Sequence, residues 1–127
     1  MIWQYSVAGM LTLLAAVLHA IAGERTNIQH LLATDMLLTE KIELRATWHF
    51  GSIGLAFAGI GLLAVGITDQ PAVGPWTGYA VAITLGSFAL VWIICTVISD
   101  RRLLLRVPQW ILLLAIALLG WWGAATP

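Results

Sequence analysis

Residues 46–67 read ATWHFGSIGLAFAGIGLLAVGI, without a single Asp, Glu, Lys or Arg. A helix of that length, at 1.5 Å of rise per residue, reaches about 30 Å, the thickness of the hydrocarbon core of a bilayer. Working outward, the same kind of run recurs at about 2–22, 76–98 and 107–123. The runs are punctuated by Gly23-Glu24-Arg25, by Thr68-Asp69-Gln70-Pro71 and by Asp100-Arg101-Arg102, and Pro108 suits the first turn of the last one. Strands are excluded, because four of them cannot close a barrel and every backbone amide in lipid needs an internal partner. The expected fold class is therefore all-α, a four-transmembrane-helix bundle forming a single integral membrane domain over residues 1–127.

Composition agrees. With 61% apolar residues, 9% charged and a mean hydropathy of +0.94, the chain has too few charges to cover a water-exposed surface. Its partner is the lipid bilayer. A formal net charge of zero gives no basic surplus to displace counterions from phosphates, so no nucleic-acid partner is expected. Cys95, the one cysteine, cannot form an internal disulfide. Ala20-Ile21-Ala22 has the small-residue look of a signal-peptide cleavage site, but no Lys or Arg precedes the apolar run, and the four-span reading is kept.

Four spans put the 23–45 and 99–107 loops on one side and both termini on the other. All six basic residues (Arg25, Lys41, Arg45, Arg101, Arg102 and Arg106) fall on the loop side. By the positive-inside rule, these loops are expected in the cytoplasm of a bacterial inner membrane, with both termini outside. Trp3, Tyr5, Trp76, Tyr79, Trp121 and Trp122 would form the outer aromatic belt, with Trp48 and Trp110 at the inner interface. The 24–44 stretch is too apolar for a plain linker. Ile28, Leu31 and Leu32 share one helical face behind Thr26 or Asn27 as an N-cap, which predicts a short helix lying on the membrane surface. From Glu40 onward the chain is expected to belong to a second helix that protrudes beyond the bilayer.

The polar residues collect at the basic end. His19 lies one turn inside the end of the first span and His49 one turn inside the start of the second, so antiparallel helices bring them to one depth. An intramembrane His is costly unless paired or functional, which makes the pair a candidate site. One reading is a zinc, copper or iron ion held by His19, Glu24, His30 and His49. Another is a haem with His19 and His49 as axial ligands and its propionates toward Arg25, Arg45, Arg101 or Arg102. A redox role would follow from either. The rival reading makes the His/Glu/Arg cluster purely structural, in an accessory or scaffold membrane protein, and a third makes the chain a small oligomeric transporter or channel. The glycines of the second span (Gly51, Gly54, Gly59, Gly61 and Gly66) suit close helix packing, within the bundle, in a homo-oligomer or in a larger membrane complex. No phosphate loop, nucleophile elbow or Ser/His/Asp set is present, and an enzymatic role is not the expectation.

The string His19-Ala-Ile-Ala-Gly23-Glu24, then Leu31-Leu32, then Arg45-Ala-Thr-Trp48-His49 with Ser52, resembles a group of uncharacterised small bacterial four-helix integral membrane proteins. Members carry a His…Gly-Glu segment ending helix 1 and an Arg-x-x-Trp-His segment opening helix 2. Many have Ser after the first His, where this chain has Ala20. The likeness covers the first half of the chain, and implies that His19, Glu24, Arg45 and His49 form one site without implying a reaction.

Overall fold

The computed structural model describes residues 2–106 and 108–126. Met1 and Pro127, the ends of the expected 1–127 unit, and Val107, the expected start of the fourth span, lie outside them. The chain is all-helical: α1 (Trp3–Gly23), a π-helical turn (Glu24–Ile28), α2 (Gln29–Leu32), α3 (Leu38–Thr68), α4 (Gly74–Asp100), a 3₁₀ turn (Arg101–Leu103) and α5 (Gln109–Ala125). Three continuous helical stretches, Trp3–Leu32, Leu38–Thr68 and Gly74–Leu103, are long and apolar enough to cross a membrane, and α5 is a shorter apolar helix. The outer surface fits lipid rather than water: Phe57 is 71% exposed, Trp76 74% and Ile98 79%. The chain is thus consistent with a multi-pass membrane protein.

One expectation fails locally. No separate surface helix starts at Thr26 or Asn27. The first helix instead runs on through the π turn as far as Leu32. Thr26 does not cap: its hydroxyl donates back to the Ala22 carbonyl (2.7 Å), inside the helix. Five residues then turn the chain. The Leu37 amide donates to the Glu40 carboxylate (3.2 Å) at the start of α3, and Lys41 Nζ donates to the Leu32 carbonyl (2.8 Å), where an ammonium complements a helix C-terminus. At 1.5 Å per residue α3 measures about 46 Å, well beyond a ~30 Å hydrocarbon core, as expected for a helix that protrudes or tilts.

Short connections make neighbouring helices antiparallel. α1 packs along α3, α5 along α4, and α1 against α5, whereas α3 and α4 touch sparsely. The order across the bundle is therefore α3, α1, α5, α4, with a cleft left between the outer two. Glycines set the closest seams. A Cβ on Gly9 would lie 2.7 Å from the Leu63 nitrogen and 2.9 Å from the Gly59 carbonyl oxygen, and one on Gly59 would lie 2.9 Å from the Leu13 nitrogen, so α1 and α3 meet backbone to backbone. Tyr5 closes the far end. The sequence put it in the outer aromatic belt, but it is fully buried, its ring lies against Gly78 and Gly123, and its hydroxyl donates to the Gly74 carbonyl (2.9 Å). The surrounding aromatics do pair at this end, Trp3 with Trp122 (5.2 Å) and Tyr79 with Trp121 (4.9 Å), both edge to face.

Candidate functional site: a polar clasp between α1 and α3

The π turn matters because it carries Glu24. One carboxylate oxygen accepts from the Arg45 guanidinium, and the other lies 3.1 Å from His49 Nε2. Glu24 thereby joins the end of the first helix to two residues one turn apart on α3. Its side chain is 27% exposed, that of His49 39% and that of Arg45 48%, so the group straddles the wet and dry parts of the bundle.

One turn deeper sits a second group. His19 Nδ1 lies 2.9 Å from Ser52 Oγ, and the imidazole stacks on the Trp48 indole with centroids 4.2 Å apart and planes 5° from parallel. The Trp48 indole N–H donates to the His19 carbonyl (2.9 Å). Gly23 makes this fit: a Cβ there would clash with Nε1, Cε2 and Cζ2 of the Trp48 indole. Every named position of the two sequence segments now has a physical task. His19, Gly23 and Glu24 on one helix interlock with Arg45, Trp48, His49 and Ser52 on the other.

This geometry corrects the cofactor expectation. Among the described residues no group of three or more His, Cys, Asp or Glu side chains is placed to hold a metal ion. The reasons are local. Glu24 is shared between Arg45 and His49, His19 has its Nδ1 on Ser52 and its face on Trp48, and His30 lies exposed on α2 with no side-chain hydrogen bond. His19 lies about one turn deeper than His49 and each turns to a different partner, so neither the zinc, copper or iron set nor the bis-histidine haem holds. Of the four arginines assigned to haem propionates, Arg45 is committed to Glu24, while Arg25, Arg101 and Arg102 are exposed and form no ion pair among the described residues.

Two residues were undervalued by the sequence reading. Trp48, assigned to the inner interface, is also the aromatic plate under His19, and the signal was Gly23, the small residue opposite it. The other is Trp92, deep in α4 and away from either belt, where no neighbouring polar residue in the sequence marks it. Its indole nitrogen is buried without a hydrogen-bond partner.

Comparison with protein-family models, curated proteins and solved structures finds no match to this chain. The resemblance to small four-helix membrane proteins is supported at the coarse level only: a small all-α chain with three membrane-length apolar helices and a shorter fourth.

Proposed function

We propose that the chain is an accessory or scaffold protein of a membrane, non-catalytic in itself, whose His/Glu/Arg cluster clasps α1 to α3. The observation that carries this reading is the consumption of the cluster by helix–helix contacts: Glu24 spends both oxygens on α3, and His19 is bonded and stacked there. Polar side chains between membrane helices stabilise by roughly 0.6 kcal/mol each and at most about 1.7, and fix which faces meet. In this reading the three long helical stretches and the shorter α5 all span, the whole chain is one integral unit, and the basic end faces the cytoplasm of a bacterial inner membrane with both termini outside. The six-to-none division of Lys and Arg between the two ends supports that orientation. The lipid-facing sides of α3 and α4 are available to a second copy or to partner subunits.

The test is His49→Ala, purified in detergent without a polyhistidine tag. The clasp predicts retained helix content, a lower SDS concentration for unfolding, and a metal content per protomer equal to that of the parent protein. Parent-level resistance to SDS would overturn it.

A further inference from the structure

The cleft between α3 and α4 is shaped for a ligand. At the basic end it opens into a chamber of about 1060 Å³, walled by His19 and Trp48 on one side and by Phe88, Trp92 and Cys95 on the other. A second cavity of about 200 Å³ follows, bordered by Gly54, Ala58 and Ala80, and the two share Leu55 and Phe88 as walls. A wide chamber thus leads into one narrow apolar groove. Among the described residues no Asp, Glu, Lys or Arg lines either space.

From this shape we infer that the cleft binds an isoprenoid quinone: an uncharged ring with carbonyl oxygens in the chamber, and its single apolar tail along the groove between α3 and α4. Three observations select this occupant over a phospholipid. The smaller space, about 200 Å³, has volume for one chain and not a pair. The chamber has no cation for a phosphate, although Arg101 and Arg102 stand exposed just beyond its α4 wall. The polar groups within it are hydrogen-bonding groups for a neutral head. Trp92 lies two turns below Asp100, about 12 Å along the helix, deeper than a lipid phosphate sits. Its indole N–H is covered and lacks an acceptor, an unfavourable state that is relieved when the ring turns to meet a carbonyl oxygen. Across the chamber His19 has Nδ1 on Ser52. His19 Nε2 has no partner among the described residues, and it carries the ring proton as a second donor when Ser52 turns its one hydroxyl proton to Nδ1 and away from the Trp48 carbonyl (3.5 Å). The stacked His19–Trp48 pair offers a flat aromatic wall for a planar head. Such a site is compatible with the clasp, since it uses the chamber side of His19 and leaves Glu24, Arg45 and His49 untouched.

The probe is a benzoquinone bearing a saturated ten-carbon tail, titrated into the purified protein in detergent while the thermal unfolding midpoint is followed. Decylbenzene controls for the tail and phosphatidylglycerol for the phospholipid alternative. The expected result is a saturable rise in midpoint with the quinone and none with decylbenzene. Trp92→Phe, which keeps the ring and removes the N–H, should weaken the half-saturating concentration at least fivefold. Cys95→Phe, which sets a bulky ring into the chamber beside Trp92, should weaken the response, and Trp92→Phe alone carries the test if that variant does not fold. Equal stabilisation by decylbenzene, stabilisation by phosphatidylglycerol and not by the quinone, or unchanged binding in Trp92→Phe would each overturn the inference. Glu24→Gln, which weakens the clasp outside the chamber, should still respond to the quinone. The clasp is scored by stability without probe and the site by the response to it, so either can fail alone.

Discussion

Substituting Gly23 by Ala should be far more damaging than one methyl group suggests. The new Cβ would overlap the middle of the Trp48 indole, at Nε1, Cε2 and Cζ2, and not the end of a flexible chain. Relief requires Trp48 to leave its stack on His19 or α3 to back away from α1. Overpacking of a close-packed site costs about 1–3 kcal/mol, and loss of the Trp48–His19 carbonyl hydrogen bond adds about 0.5–1.5 kcal/mol, so a destabilisation of roughly 2–4 kcal/mol is expected. Helix propensity works the other way, since Ala is favoured over Gly by about 1 kcal/mol in a helix interior, which places the net effect toward the lower half of that range. The assay is reversible SDS unfolding in mixed micelles followed by circular dichroism. Gly61→Ala is the control, because its added Cβ meets nothing nearer than Thr77 Cγ2 at 3.9 Å, and it should be neutral or slightly stabilising. In a Trp48→Ala background, Gly23→Ala should carry little further cost. The reasoning is refuted if Gly23→Ala is as well tolerated as Gly61→Ala, or if its cost persists undiminished when Trp48 is already Ala.

Other substitutions probe separate parts of the bundle. Gly59→Leu should prevent α1 and α3 from closing, with a loss of at least about 3 kcal/mol by SDS unfolding or failure to accumulate folded protein, because the obstacles are Leu13 and Gly9 backbone. Tyr5→Phe should cost about 1 kcal/mol by the same assay, since the ring still fills its site and only the bond to the buried Gly74 carbonyl is lost. Cysteine substitutions of Thr34 and Gln70, made in a Cys95→Ala background, should label from opposite faces of oriented inner-membrane vesicles with a membrane-impermeant maleimide. Labelling of both from one face would contradict the proposed orientation.

The sequence was informative where lipid dictates the pattern. Apolar runs bounded by charge located α1, α3 and α4 to within a few residues, apart from the long extensions at the basic end, and the third break with Pro108 located α5. It was misleading where backbone geometry decides. A π turn leaves no composition signature, so the segment after Gly23 looked like a new amphipathic helix and not a continuation. Depth was legible to within a turn and direction was not. Residue spacing put His19 and His49 at one level, whereas His19 sits about a turn deeper, and the partner each faces depends on helix rotation, set by Gly9, Gly23 and Gly59 against their opposite numbers. Tyr5 shows the same limit: its position suits an interfacial belt, but Gly78 and Gly123 admit it to the core.

The most direct measurement is a double-mutant cycle on Glu24→Gln and His49→Ala, read by SDS unfolding, with metal content and visible absorbance recorded on all four proteins. A clasp predicts a coupling energy of about 0.5–1.5 kcal/mol between the two positions and no change in bound metal or absorbance across the set. Additive effects within error, or a metal or chromophore present in the parent and lost in the variants, would contradict it.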